Sequence, residues 1–250
     1  MSKIGNEPKM EQKEKVHETS RPHTFRVALY IWSICVLGVA SLCVLTINYP
    51  PRMTLAFAGF LLFAFLTGFY RMRIPFQSEK SLTALLILSA LLCLGPAEAC
   101  WVATLSGLVR GTFRVAQRAL DRSLFNKSIL CVSAASAGSA YTLFGWNRWP
   151  FTLGHSLLSA CGAAAALWLA YTGLAAGMKA VRERSSFSAD FGLVLRPLLP
   201  AAPVVTAFSV LLTLLAVKFG PLALVIFLVI LGGLHLSMIV YPVRTRVPVR

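Results

Sequence analysis

Charged residues are scarce in this sequence, and acidic residues are the scarcest. Charged side chains make up 13% of the 250 residues, with 9 Asp and Glu against 24 Lys and Arg. Hydrophobic residues reach 57%, and the mean hydropathy is +0.71. Soluble domains carry about 25% charged residues, so this composition excludes that class. Several apolar runs approach or exceed about 18 residues, which predicts a polytopic, all-α membrane protein built as a helical bundle.

Catalytic and metal-binding patterns are also missing from the sequence. Its six cysteines lie in apolar runs and form neither a CxxC pair nor a Cys/His cluster, so we interpret them as small packing residues. We find no Ser/His/Asp set, paired carboxylates or phosphate-binding glycine loop in a suitable context. The sequence therefore predicts a protein that is not an enzyme and that holds no cofactor and no metal.

The net charge of +15 invites a nucleic-acid interpretation, but the positions of the basic residues favour a membrane. Lys and Arg lie almost wholly in loops and tails, as in proteins that follow the positive-inside rule. We predict the lipid bilayer as partner and no nucleic acid. Residues 1–26 lack the features of a signal peptide and are predicted to be a disordered cytoplasmic tail. Residues 27–241 form one predicted helical membrane domain, and residues 242–250 form a short basic cytoplasmic tail.

Six full spans are predicted from the apolar runs and their Pro and Gly stops. They are Val27–Asn48, Met53–Tyr70, Ser128–Phe144, Phe151–Met178, Leu198–Val217 and Leu222–Tyr241. Small residues in the third span favour close helix approach, and Gly173 and Gly177 form a GxxxG pattern. Residues 179–196, which join the fourth span to the fifth, are predicted to be an inner loop.

The stretch Leu82–Val109 decides the topology, because it is interrupted by Gly95-Pro96. If it crosses the membrane once, 13 Lys and Arg lie outside and 11 inside. If it turns back as a helical hairpin, 21 lie inside and 3 outside, so the positive-inside rule favours the hairpin and places both termini in the cytoplasm. Each arm has about 13 residues, or roughly 20 Å of helix, which predicts a shallow or re-entrant hairpin.

A basic segment follows the hairpin. Its arginines recur at a spacing of four, which places them on one face if the segment is helical. They are Arg110, Arg114, Arg118 and Arg122. A positive-inside loop at the membrane interface is the interpretation that we favour, and a docking face for a cytoplasmic signalling protein or a membrane partner is the alternative.

Ionisable groups at membrane depth are costly and therefore mark candidate sites. A small polar pocket in the outer half is one interpretation. Its predicted ligand-binding residues are Glu98, Tyr141, Arg148, His155 and His235. In the structural alternative, Glu98 pairs with Arg148 and His235 bonds a backbone carbonyl.

Three stretches carry a resemblance to a known family: SLTALLILSALLCLGPAEACWVATLSGLVRG, RSLFNKSILCVSAASAGSAYTLFG, and VLRPLLPAAPVV with KFGPLALVIFLVIL. They resemble the N-terminal membrane domain that precedes diguanylate cyclase (GGDEF) or HD-GYP phosphodiesterase domains in bacterial signalling proteins. The resemblance implies a sensor-like input module in the bacterial inner membrane. The sequence departs from the family in Glu98, where an apolar residue is usual, and in lacking an output domain. The signal would then pass to a separate protein, unless the chain is a remnant or a stand-alone membrane unit.

The Gly-Pro hairpin is also similar to one in substrate-capturing subunits of energy-coupling-factor vitamin transporters. The first span lacks the alanine row by which such subunits often dock their partner. A small-solute transport subunit is therefore the alternative function, and a structural or assembly role is a third.

Overall fold

The computed structural model describes residues 21–69, 79–106, 117–144, 157–220, 222–227 and 229. Within these ranges every regular element is an α-helix, which confirms the all-α prediction. The helices are α1 (Arg21–Asn48), α2 (Leu55–Phe69), α3 (Glu79–Cys93), α4 (Pro96–Ser106), α5 (Gln117–Leu143), α6 (Leu157–Glu183), α7 (Phe187–Leu195) and α8 (Ala201–Phe219). A further helical stretch covers residues 222–227.

Three of the described helices are long and apolar enough to cross a membrane. They are Phe25–Asn48 in α1, Leu157–Glu183 in α6 and Ala201–Phe219 in α8. This confirms that the chain is a membrane protein. Two further apolar helices, Leu55–Phe65 and Leu82–Cys93, are shorter. Helix α5 has the length of a span but a lower mean hydropathy, because its first turns are charged and polar and serine recurs in the rest.

Helix α5 packs against α1, α4 and α6, and its small residues let the backbones approach closely. A Cβ added to Gly38 of α1 would lie 2.9 Å from the Cα of Ser128. The thiol of Cys131 donates to the carbonyl oxygen of Gly38 at 3.4 Å. Because α5 has helices on several sides, those helices can cover the polar residues that it carries. The prediction of close packing in this helix is confirmed.

The chain reverses direction at Gly95, as the Gly-Pro break predicts. Leu91 lies before the break and Pro96 after it, yet both contact the same residue, Gly138 of α5. A Cβ on Gly138 would lie 2.7 Å from the Pro96 Cβ and 3.7 Å from the Leu91 Cδ1. Gly95 has a φ of 136°, a conformation that L side chains rarely adopt.

The two arms diverge from this turn along the same stretch of α5. Ile87 of α3 lines a small void together with Ser133. The Cys100 thiol of α4 donates to the Cys131 carbonyl oxygen at 3.6 Å. Moving away from the turn in either direction therefore leads down α5 toward its N-terminus, so α3 and α4 run antiparallel as a hairpin.

Helix α8 runs parallel to α3, and buried hydroxyl groups join the two. The Ser209 hydroxyl lies 3.2 Å from the Leu85 carbonyl oxygen, and the Ser89 hydroxyl donates to the Ser209 carbonyl oxygen at 3.3 Å. One turn further, the Thr213 hydroxyl lies 3.5 Å from the Ser89 carbonyl oxygen. These three polar side chains are fully buried. An interhelical hydroxyl bond such as the one that Ser89 donates contributes about 0.6 kcal/mol in membrane proteins.

Two helix boundaries differ from the sequence prediction. Helix α1 begins at Arg21, so the last residues of the predicted disordered tail are helical. Proline is compatible with a first helical turn, and Pro22 therefore does not stop the helix. Helix α6 continues to Glu183, and α7 occupies most of the predicted inner loop. Hydropathy indicates where the lipid-facing part of a helix ends, whereas the backbone hydrogen bonds of the helix continue into polar sequence. Residues 1–20 and 230–250 lie outside the described residues, so the predicted tails stay predictions.

Half of the GxxxG pattern on α6 is used for packing. The Tyr30 ring of α1 lies over Gly177, and its hydroxyl donates to the Leu174 carbonyl oxygen at 2.9 Å. No atom lies within 4 Å of a Cβ added to Gly173. Gly173 therefore offers a matched control for substitutions at the packed glycines.

Replacing Gly138 by alanine should destabilise the protein, since the new methyl group overlaps Pro96. Overpacking of this kind typically costs about 1–3 kcal/mol. Gly173→Ala should be neutral or gain up to about 1 kcal/mol from its higher helix propensity. Thermal unfolding of both variants in the same detergent measures the difference. Equal melting temperatures for Gly138→Ala and the unaltered protein would contradict the tight contact.

Candidate functional site

The site begins at the hairpin turn, which the local sequence produces. Gly95 supplies the positive φ, and its N–H donates to the Ala90 carbonyl oxygen at 3.2 Å. Pro96 then occupies the first position of α4, where its missing N–H leaves no intrahelical bond unmade. Glu98 follows in the first turn, at the end of the helix where the dipole favours an acidic group.

Glu98 is a buried carboxylate held by a backbone group. Its side chain is 4% exposed, and Oε1 accepts a hydrogen bond from the Arg52 N–H at 3.0 Å. Arg52 lies in the turn between α1 and α2, and it follows Pro50 and Pro51, which have no N–H to donate. The Glu98 carboxylate therefore fastens the α3–α4 turn to the α1–α2 turn. We call this side of the bundle the Glu98 end.

Tyr141, the second predicted site residue in the described chain, lies at the same end. It is fully buried on α5, one helical turn beyond Gly138, which contacts Pro96. The structure thus brings the predicted residues Glu98 and Tyr141 to the surroundings of one turn. Trp101, which the sequence reasoning passed over, follows Glu98 by three residues on α4, and within the described chain its buried Nε1–H has no acceptor.

The other predicted site residues lie outside what the structure describes. This holds for Arg148, His155 and His235, and for Arg110 and Arg114 of the basic stripe. Arg118 and Arg122 belong to the first turns of α5, but their side chains are not among those described. The predicted Glu98–Arg148 pair and the pocket formed by all five residues therefore stay predictions.

A second polar cluster lies at the opposite side of the bundle, which we call the Lys179 end. Asp190 of α7 is 2% exposed, and its Oδ1 lies 3.0 Å from the Nζ of Lys179 on α6. The Ser185 hydroxyl donates to the other carboxylate oxygen. The hydrogen bond from Ser185 and the Lys179 ammonium hold the pKa of Asp190 below its usual value, so this carboxylate is ionised at neutral pH.

Sequence reasoning missed this cluster because it assigned residues 179–196 to a loop. The signal that was available is composition, since residues 179–196 hold two acidic residues, Glu183 and Asp190, among four basic ones. An acidic residue in such a segment favours a cationic partner, and Lys179 is one such cation. The burial of Asp190, however, follows from the packing of α7 on α6, which no local pattern reveals.

A small void lies between α3, α5 and α6. Its volume is about 10 Å³, which is space for about one water molecule. Its lining is almost wholly apolar and consists of Ala84, Ile87, Leu130, Ser133, Leu167, Trp168 and Tyr171. This void is too small for a vitamin-sized solute. Among the described residues, no three His, Cys, Asp or Glu side chains are grouped to hold a metal ion.

Comparison of the chain with protein-family models, with curated proteins and with solved structures finds no match. The resemblance to signalling input domains therefore stays a prediction from the residues that carry it.

Glu98→Ala should destabilise the protein, because it removes the acceptor from the partly buried hydrogen bond of the Arg52 N–H. The loss of such a bond costs about 1–3 kcal/mol. Glu98→Gln keeps a carbonyl oxygen and should lose less. Thermal unfolding in detergent compares the two, with Glu183→Gln as an exposed-carboxylate control.

Equal losses for Glu98→Gln and Glu98→Ala would show that the negative charge matters rather than the hydrogen-bond acceptor. The Glu98→Gln, Arg148→Gln double variant then tests the predicted ion pair. Losses that simply add would show that these two residues are not coupled.

Proposed function

We propose that this chain is a non-catalytic, multi-pass protein of the bacterial inner membrane that serves as a signal-input module. The observation that carries the proposal is the buried Glu98 carboxylate, which joins two turns through a single backbone donor at 3.0 Å. A buried polar contact between two turns is one that a ligand or a change in the bilayer can break. The other part of the support is the resemblance of the sequence to signalling input domains.

The proposed orientation places the Glu98 end outside and the Lys179 end, with both termini, in the cytoplasm. Described basic residues support it. The Glu98 end carries Arg52 and Lys218, whereas the Lys179 end carries Lys179, Arg182, Arg184 and Arg196. The positive-inside rule favours the cytoplasm for the more basic end. With the shorter α2, the more polar α5 and the predicted span Leu222–Tyr241 included, the proposed architecture has six full spans and the α3–α4 hairpin.

A continuous packed path leads from the Glu98 end to the Lys179 end. The hairpin that carries Glu98 is joined to α8 by the hydroxyl groups of Ser89 and Ser209. Helix α8 continues through a turn at residues 196–200 into α7, which Lys179 binds through Asp190. A shift of the hairpin can therefore move α7 by way of α8. This is the route that we propose for a signal to a cytoplasmic partner.

The alternative of a vitamin-type transport subunit gains no support from the described helices. The void between α3, α5 and α6 is far smaller than the 300–1,000 Å³ that ligand pockets usually have. We therefore keep signal input as the proposed function.

Thiol labelling should confirm the orientation. In a cysteine-free background, single cysteines at Gln117 and Glu183 should resist an impermeant thiol reagent added to intact cells, because both positions lie at the proposed cytoplasmic end. Arg52→Cys, at the exposed turn of the Glu98 end, should react. Labelling of the two inner positions but not of Arg52→Cys would invert the orientation, and labelling of all three would contradict the hairpin.

Breaking the Glu98 contact should change the arrangement of the Lys179 end if the module transmits a signal. Spin labels at Gln117→Cys and Glu183→Cys report the distance between α5 and α6 there. Glu98→Ala should shift the mean distance by more than the width of the distribution in the unaltered protein. Lys218→Gln, an exposed change at the Glu98 end, should leave it in place. An unchanged distance in folded Glu98→Ala would contradict a signal-input role.

A further inference from the structure

Helix α7 lies at the membrane boundary because of its place in the chain. Residues 184–186 join it to α6 and residues 196–200 join it to α8, and both neighbours are long and apolar enough to span a bilayer. Arg184 has a φ of 54°, the left-handed conformation that ends a helix and redirects the chain. The nine residues of α7 therefore sit where two spans leave the membrane.

One face of α7 is fixed to the protein. Asp190 is buried against α6 by its contacts with Lys179 and Ser185. Val194 packs on the main hydrophobic core, and Leu198 belongs to it. Because Asp190 and Val194 are anchored, the exposed side chains of this segment have a defined position and are available to whatever surrounds the bundle.

The exposed side chains of α7 and of the turn that follows it combine large apolar groups with arginine. Leu193 is 59% exposed and Leu199 is 57% exposed, and Arg196 lies between them at a spacing of three residues. Phe187, at the start of α7, is 52% exposed. In water such a surface would be unfavourable, since its exposed apolar side chains forgo the free energy of burial.

This face continues the lipid-facing surface of α8. On α8 the exposed side chains of Val204, Phe208 and Leu211 lie at helical spacing. Since α8 is a candidate span, they face acyl chains. Between Val204 and Leu193 the chain carries one charged residue, Arg196, and the exposed Leu199. We therefore expect the environment that covers Leu211 to reach Leu193.

An arginine within such a row has a defined chemical partner. Its aliphatic stem packs along apolar surface while its guanidinium reaches the level of the head groups. The planar guanidinium donates two parallel hydrogen bonds to a phosphate. Arg184 supplies a second exposed cation at the other end of α7.

We propose that the exposed face of α7 lies in the membrane interface and that Arg184 and Arg196 bind the phosphates of anionic phospholipids. The helix then acts as an interfacial anchor beside α6 and α8. The continuity with α8 favours lipid over a protein partner, which would need to share this surface with the bilayer. The inference rests on α6 and α8 spanning a membrane, and it requires neither the proposed signal role nor the proposed orientation.

Lipid retention tests the proposal on the full-length protein. The purified protein is equilibrated with equal amounts of phosphatidylglycerol and phosphatidylcholine, and native mass spectrometry counts the lipids that remain bound. Arg184→Gln with Arg196→Gln should lower phosphatidylglycerol retention at least about threefold and leave phosphatidylcholine unchanged. The matched control, Arg52→Gln with Lys218→Gln, removes two cations at the other end of the bundle. This variant should retain nearly all of the phosphatidylglycerol.

Replacing both arginines by lysine separates charge from geometry. This variant should recover part of the retention, because lysine keeps the charge and loses the bidentate contact. Equal losses in the test and control pairs would overturn the proposal, since binding would then follow net charge alone. Unchanged retention in the folded test pair would overturn it as well.

A second measurement does not depend on removing the arginines. A cysteine-free variant with Leu193→Cys carries an environment-sensitive dye, and the protein is placed in bilayers that contain phosphatidylglycerol. Lipids with a quencher near the head group should quench the dye strongly, and aqueous iodide should quench it weakly. Strong quenching by iodide would place this face in water, and weak quenching by both reagents would place it in a protein contact. Either result would reject the interfacial position.

Discussion

The contact between Gly138 and Pro96 is the constraint on which the arrangement of the bundle depends. A Cβ at Gly138 would lie 2.7 Å from the Pro96 Cβ, so the hairpin turn sits at this point of α5 because residue 138 has no side chain. The position of the turn on α5 determines where α3 and α4 pack along that helix. It also determines how far the first turn of α4 lies from the end of the bundle. Glu98 therefore meets the Arg52 N–H as a consequence of where the turn is seated.

Polar groups inside the bundle are satisfied mainly by backbone rather than by charged side chains. The hydroxyls of Ser133 and Ser209 donate to the carbonyl four residues earlier at 2.7 and 2.8 Å. Thiols donate to carbonyl oxygens of neighbouring helices, as the Cys131 thiol does to Gly38. Even the buried Glu98 carboxylate accepts from a backbone N–H. In lipid every polar group needs a partner, and backbone groups at breaks and close contacts are the ones that remain available.

The parts of the fold that follow from local sequence could be predicted. Apolar length identifies α1, α6 and α8, and the Gly95-Pro96 pair identifies the reversal, because each signal is contained in a few consecutive residues. The partner of Glu98 could not be predicted in this way. The search for a partner considered cationic side chains, whereas the donor is the main chain of Arg52, which any residue except proline has. The burial of Asp190 could not be predicted for a related reason, since it depends on the packing of α7 against α6.

The lengths of the helices explain why the α3–α4 turn at the Glu98 end is covered by protein instead of exposed. Helix α3 has 15 residues, which rise about 22 Å, whereas α1 has 28 residues, which rise about 42 Å. A hairpin of that height does not reach across a hydrocarbon core of about 30 Å. In the proposed topology its turn lies below the surface of the bilayer, and its free backbone and carboxylate groups must be covered by protein. The longer α1 reaches beyond this level, and the turn that follows it supplies the cover. The Arg52 N–H is the group in that turn that bonds Glu98, which is why the carboxylate is buried and still has a hydrogen-bond partner.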